Sequence, residues 1–241
     1  MNDSAVIEIE NMSKSYQMGE VTVHALKDVT LRVEPGEITV ILGPSGCGKT
    51  TLLNQIGGID SPTEGSIRVN GNQISDMNQR QLTRYRQDKI GFVFQFFNLI
   101  PNLTARENVE FVLEYVMDMK SNHVYSRAQE LLKKVGLEDR ADHYPYQLSG
   151  GEQQRVSIAR ALAKDPRIFL ADEPTGELDY KTGKMILELL TSLADEGRAV
   201  LIVTHNKELA KIAHKVIYLR DGIVLREEYN EKPMKVSQLE W

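Results

Sequence analysis

Glu37-Ile38-Thr39-Val40-Ile41-Leu42-Gly43-Pro44-Ser45-Gly46-Cys47-Gly48-Lys49-Thr50-Thr51 is the stretch whose reading decides the fold. An apolar strand-like run ends at Leu42 in glycines that fit G-x-x-x-x-G-K-[ST], and residues 50–56 then read as a short helix closed by Gly57-Gly58. Glycines in such a loop let backbone N–H groups turn inward as an anion nest, and the helix start behind it adds partial positive charge. Lys49 is placed to bridge β and γ phosphates, and the Thr50 hydroxyl to hold Mg²⁺. The run from Gly43 through Pro44, Ser45, Gly46, Cys47, Gly48, Lys49 and Thr50 to Thr51 is therefore the expected phosphate cradle. Cys47 reads as a loop residue within it, with a reactive thiol.

Outward from this stretch, the N-terminal residues alternate in the strand manner, with Val6, Ile7 and Ile9, then Val29, Leu31 and Val33. A hairpin with Ile67 and Val69 turns at Asn70-Gly71. A helix over 75–89 carries Arg80, Arg84, Arg86 and Lys89, read as a solvated face. A helical pattern fills 103–136. The second half alternates: helix 150–164, strand 167–171, helix 181–196, strand 199–204, helix 207–213, and a closing hairpin over 216–219 and 223–226 around Asp221-Gly222. This order implies a parallel sheet with helical crossovers, and so an α/β fold.

Composition bounds the function. The chain has 241 residues, 41% of them hydrophobic and 26% charged, enough to bury a core as one large domain or two small ones. Lys and Arg number 29 against 34 Asp and Glu, so the net charge of −5 supplies no global basic field for nucleic acid. The uncharged stretch 90–105 is shorter than the roughly 20 apolar residues of a spanning helix. One cysteine and a polar start, MNDSAVIEIE, suit a reducing, cytoplasmic setting.

Two further elements carry chemistry. The apolar run before Asp172-Glu173 delivers two carboxylates at a strand's carboxyl end, where open α/β sheets bind ligands. Neighbouring strand residues face opposite ways, so Asp172 suits the magnesium shell while Glu173 is free to orient or deprotonate a water attacking the γ phosphate. Ser149-Gly150-Gly151-Glu152 forms an S-x-x-E capping box at a helix start. Its two glycines weaken the first turn, and their expected compensation is access, a second set of bare N–H groups for phosphate.

Leu148-Ser149-Gly150-Gly151-Glu152-Gln153, about a hundred residues after the phosphate loop and about twenty before Asp172-Glu173, resembles the signature of the ATP-binding cassette (ABC) family over nearly the whole chain. The resemblance implies a P-loop NTPase with a mixed central sheet, an N-terminal antiparallel β subdomain and an inserted α-helical subdomain. These would lie in one domain over 1–241, with the insertion at about 96–148 and a C-terminal tail at about 227–241. It also implies ATP and Mg²⁺ as ligands, and a head-to-tail homodimer in which Leu148 to Gln153 of one copy act in trans on ATP held by the other. Glu152-Gln153 stands where the commonest form has Gln directly after the glycines.

Residue by residue, the same resemblance places Tyr16 against adenine. Gln95 senses Mg²⁺ and the attacking water, and His205 contacts the γ phosphate. Asp179 belongs to the loop crossing the dimer interface, where Glu177 replaces a more usual neutral residue. Catalysis would rest on Glu173, His205, Gln95 and Lys49, and the metal on Thr50, Gln95 and Asp172. The partner implied is an integral-membrane permease, with the chain peripheral on the inner face of the cell membrane and no nucleic acid expected. The segment 91–101 and Asp172-Glu173-Pro174-Thr175-Gly176 look most like the compact group serving lipoprotein release, macrolide or antimicrobial-peptide efflux, and cell-division signalling. Phe96, Phe97, Leu99 and Ile100 either pack the helical insertion or line a groove for the permease. The alternatives are an ATPase of a small-solute importer, many of which add a C-terminal regulatory domain, and a soluble ABC ATPase of DNA repair or translation. The latter usually carries a coiled-coil insertion or tandem cassettes.

Overall fold

The computed structural model describes residues 5–176 and 178–240; Met1, Glu177 and Trp241 lie outside the described residues. Strands β1 (Ile7–Met18) and β2 (Val21–Val33) form a long hairpin, and β3 (Ile38–Leu42) runs into helix α1 (Lys49–Ile56). There follow β4 (Glu64–Val69), β5 (Asn72–Gln73), α2 (Gln79–Lys89) and β6 (Ile90–Val93). Helices α3 (Ala105–Phe111), α4 (Ser121–Lys134) and α5 (Gly150–Leu162) come before β7 (Ile168–Asp172). Helix α6 (Tyr180–Asp195), β8 (Ala199–Thr204), β9 (Lys215–Arg220) and β10 (Ile223–Tyr229) complete the order.

Two sheets result. An antiparallel one has the order β2-β1-β4-β5, and a six-stranded one the order β10-β9-β3-β8-β7-β6. In the latter β9, β3, β8, β7 and β6 pair in parallel and β10 antiparallel, so the central sheet is mixed, as expected.

The central strands are apolar throughout because they are covered on both faces. Their period of two divides them between two cores. Ile38, Val40, Leu42, Phe169, Ala171, Val200 and Ile202 join the core formed with α3 to α6. Ile41, Ile168, Leu170, Leu201 and Val203 join the core shared with α1 and the antiparallel sheet.

Element boundaries differ from the sequence reading where side chains cap the backbone. The expected helix over 75–89 is a 3₁₀ turn, Ile74–Asp76, followed by α2, because the Asn78 side chain accepts from the Gln81 amide and Gln81 returns the bond. Arg86 does not face solvent: it donates to the Gly58 carbonyl at 2.5 Å. The helical pattern over 103–136 is broken. Thr104 and Glu107 cap α3, a π turn spans Val112–Val116, and α4 begins anew at Ser121. The expected helix over 207–213 is a 3₁₀ segment, Lys207–Ile212, with the Asn206 side chain taking the Glu208 amide.

The tail is the largest departure. It begins after Tyr229 rather than at 227, and it is packed. Val236 and Leu239 are buried in the helix-side core, and the Tyr180 hydroxyl donates to the Leu239 carbonyl at 2.7 Å. Lys184 donates to the Ser237 carbonyl, and Met234 donates its amide to Lys211. Polar residues around two well-spaced apolar ones hid this packing in the sequence. Leu239→Ala is expected to cost about 2–4 kcal/mol in urea unfolding, as a cavity in a core does; Glu240→Ala, at an exposed position, is expected to leave the midpoint within about 0.5 kcal/mol.

Candidate functional site

The phosphate loop starts where β3 ends, and its glycines answer to steric demands. A Cβ on Gly43 would lie 2.2 Å from the Leu219 carbonyl oxygen, and one on Gly48 2.6 Å from that of Ala25. Gly48 also takes φ 104° as the N-cap of α1, a conformation other residues rarely adopt. The first turn of α1 holds no acidic residue, so its N–H groups keep their pull on an anion. The Lys49 ammonium is buried under the loop, donating to the carbonyls of Gly43 at 2.8 Å and Pro44 at 2.9 Å.

This loop forms one wall of an open cleft of about 780 Å³. Lys49, Thr50, Thr51, Gln95, Asp172, Glu173 and His205 all reach it, together with Ser45, Gly46 and Gly48. The structure thus brings together the expected phosphate, metal and catalytic residues from four separate segments.

Asp172 ends β7 beside the phosphate loop. Burial pushes its carboxyl above the usual range and the adjacent Glu173 adds to this, against a hydrogen bond with Thr50 and the charge of Lys49. Glu173 leaves the strand with φ 44°, a left-handed conformation that costs a non-glycine residue about 1–3 kcal/mol. Its amide still donates to the Val203 carbonyl at 2.9 Å. Its carboxylate accepts from the Thr204 hydroxyl at 2.8 Å, the His205 amide at 3.0 Å and His205 Nδ1 at 2.9 Å. The Glu173 side chain is 13% exposed and that of His205 70%. The Glu173 carboxylate is thus held by three donors, while its neighbour Asp172 is held on the Thr50 hydroxyl.

The available metal donors are hard oxygens on Thr50, Asp172 and Gln95, which fit Mg²⁺. Among the described residues no cluster of three or more His, Cys, Asp or Glu side chains is poised to hold a metal. Three oxygen donors leave the rest of a magnesium shell to phosphate and water.

Leu148, Ser149, Gly150, Gly151, Glu152 and Gln153 do not line this cleft. They open α5, and the capping box is present: the Ser149 hydroxyl accepts from the Glu152 amide at 3.3 Å, and the Glu152 carboxylate accepts from the Ser149 amide at 2.8 Å. Arg140 holds the other carboxylate oxygen at 3.2 Å, and the Gln153 amide group donates to the Leu148 carbonyl. The two glycines have different causes, which corrects the expectation that both serve access. A Cβ on Gly151 would lie 1.9 Å from Thr182 Cγ2 of α6, so packing requires glycine there. On Gly150 it would meet nothing closer than 3.5 Å, so packing does not demand glycine there. Asp179 caps α6, its carboxylate accepting from the Thr182 amide at 3.1 Å.

Cys47 departs from the sequence reading. The thiol is buried in the core on the α1 side, and burial pushes its pKa up. The thiol thus packs into the core and does not line the cleft, and only the thiolate is nucleophilic. Tyr16 does not line the cleft either; it stands at its margin near Thr51, 38% exposed. Thr204 escaped sequence reasoning because its role is a bond across strands. So did the β9–β10 turn, where Gly222 donates to the Cys47 carbonyl and accepts from the Lys27 amide. Asp221-Gly222 announces a hairpin and nothing about its target. His214, unassigned in the sequence, takes the Ile38 amide at 3.1 Å.

Comparison with known proteins agrees with this geometry. The ABC transporter family profile matches residues 26–176. An uncharacterized ABC transporter ATP-binding protein of Methanocaldococcus jannaschii, MJ0796, is 52% identical, with 92% of this chain and 97% of that protein covered. The macrolide export ATP-binding/permease protein MacB of Bdellovibrio bacteriovorus is 46% identical over 92% of this chain but only 34% of its own length. A dimeric structure of MJ0796 in a post-hydrolysis state with ADP and Pi superposes with a TM-score of 0.86 at 50% identity, covering 92% of this chain and 98% of that one.

The two glycines of the α5 turn give a direct check. Gly151→Ala is expected to lower stability by about 1–3 kcal/mol in chemical denaturation, the cost of overpacking against Thr182. Gly150→Ala, with room for its methyl, is expected to leave stability unchanged or slightly raised.

Proposed function

The chain belongs to the ABC transporter ATPase family, and we propose that it hydrolyses ATP in head-to-tail pairs of copies to drive a membrane permease. The observation that carries this reading is the split site: a cleft furnished with phosphate loop, metal donors and a fixed carboxylate, and a phosphate-ready helix start that lies elsewhere on the same chain. A second copy turned head to tail would lay Leu148 to Gln153 over the nucleotide, offering N–H groups of the helix start and the Ser149 hydroxyl to the γ phosphate. The dimeric, ADP- and Pi-bound relative supports this pairing.

In the closed pair each residue has a task. The loop from Gly43 to Thr51 cradles the phosphates through its backbone, and the Lys49 ammonium neutralises charge on the β and γ groups. Thr50, Asp172 and Gln95 would hold Mg²⁺, which when bound would supply positive charge against the phosphates. Glu173 orients the attacking water and takes its proton; its grip by Thr204 and His205 keeps the carboxylate in one place, and preorganisation of that kind is what positioned bases contribute. His205 contacts the γ phosphate, and Tyr16 stacks on adenine. Asp179, at the start of α6, reaches the dimer interface.

Coupling runs through the segment after β6. Arg160 of α5 donates to the carbonyls of Phe97 and Asn98, so the helix that begins with the signature also grips the segment that follows Gln95. Phe96 is 73% exposed, whereas Leu99 packs on the core. Exposure supports Phe96 as a residue of that run that meets a permease. Among the described residues no helix is long and apolar enough to cross a membrane. We therefore place the chain on the cytoplasmic face beside an integral-membrane partner, with 96–148 as the inserted helical arm. Kinship with macrolide export proteins favours export or mechanotransmission over import.

Glu173→Gln is expected to keep ATP binding, lose turnover by about 10²–10⁴-fold, the range of a positioned general base, and elute as a dimer only with ATP. Turnover near that of the unmodified chain would contradict the role given to Glu173.

A further inference from the structure

We infer that Asp60 and Lys14 are positioning residues that lock the Tyr16 ring for the nucleotide base. The inference rests on the adenine-stacking role given to Tyr16. Lys14 and Tyr16 are two residues apart on β1 and so share a face of the strand. The Tyr16 hydroxyl donates to Asp60 Oδ2 at 2.8 Å, and Lys14 Nζ donates to Asp60 Oδ1 at 2.7 Å and to the Ser61 carbonyl at 2.7 Å. The same ammonium lies 4.9 Å from the centroid of the Tyr16 ring.

One carboxylate therefore fixes the phenol at its rim, and one cation covers one face of its ring. The opposite face is what remains for a base to stack on. Burial raises the Asp60 carboxyl, but the hydrogen bonds from Lys14, Tyr16 and the Ser61 amide outweigh it and hold the group below its ordinary range. An ionised acceptor of this kind makes a stronger bond to the phenol than a neutral one.

Asp60 also ties the ring to the phosphate site. It follows α1 directly, and the amides of Ile59 and Asp60 both donate to the Asn54 carbonyl of that helix. The N-terminus of α1 is the phosphate cradle. The base platform and the cradle thus hang from two ends of one short helix, and Asp60 sets the distance between them. A free Tyr16 side chain would have to be ordered when nucleotide binds, whereas this one is ordered beforehand.

The test measures KM and kcat for ATP, with inorganic tripolyphosphate as a competitor that reads the cradle without a base. Asp60→Ala and Tyr16→Phe are each expected to raise KM about 3–10-fold with kcat unchanged. The effects of the two substitutions should be less than additive in the double variant, because the bond between the Tyr16 hydroxyl and Asp60 is common to both. Asp60→Asn, which keeps an acceptor for the phenol, is expected to recover much of the loss, and the inhibition constant of tripolyphosphate should not move. Tyr16→Ala is expected to raise KM further. If Tyr16→Ala raises KM while Tyr16→Phe and Asp60→Ala do not, the lock is overturned and the stacking role stands. If Tyr16→Ala leaves KM untouched, both fall. Weakened tripolyphosphate binding in Asp60→Ala would also overturn the lock, since Asp60 would then act on the cradle itself.

Discussion

The parallel register of β3, β8 and β7 is the constraint on which the site depends. Leu42 pairs with Thr204, and Asp172 with Val203, so three strands end level at one edge of the sheet. From that edge β3 passes into the phosphate loop, β7 into Glu173, and β8 into His205. The amide of Glu173 then extends the ladder by one bond to Val203, which turns its carboxylate onto Thr204 and His205. A slip of one residue between β7 and β8 would carry Asp172 and Glu173 to opposite faces and exchange their partners. The two dry cores on either side of the sheet enforce the register, because each strand sends alternate residues to each.

Much of this was legible in the sequence wherever function is built from consecutive residues. The phosphate loop needs its glycines, Lys49 and Thr50 in one short run, and Glu173 needs only to follow an apolar strand. The capping box of Ser149 and Glu152 likewise closes on itself within four residues. The reading failed where the cause of a residue lies far along the chain. Gly151 is glycine because of Thr182, and Gly43 because of Leu219, neither of which local pattern can announce. Cys47 looked like a member of the loop and is a member of the core. Asp60 and Thr204 gave no signal, and Gly222 gave only that of a turn, since each acts through a bond to a residue tens of positions away or on another strand.

Those long-range contacts share a purpose. Thr204 braces the carboxylate, Gly222 braces the phosphate loop at Cys47, and Asp60 braces the ring at its margin. The phosphate and catalytic ends of the cleft are thereby preformed within one chain. On the proposed function, the donors above the γ phosphate would come from the start of α5, whose residues 148–153 do not line their own cleft. Binding and closure would then be linked: nucleotide would complete the interface for a second copy, and its cleavage would remove the group that joined them. The bonds from Arg160 to Phe97 and Asn98 would pass that change to the segment bearing Phe96.

The central claim is that each site takes its phosphate loop from one copy and its signature from the other. It is tested most directly by mixing two inactive variants, Lys49→Ala and Gly150→Glu, the second at a position with room for a side chain in the isolated chain. A mixed pair holds one intact composite site if the signature acts in trans and none if it acts in cis. The account expects ATP hydrolysis by the mixture well above the sum of the two variants measured separately. A mixture no more active than that sum, with mixed pairs shown to form, would contradict it.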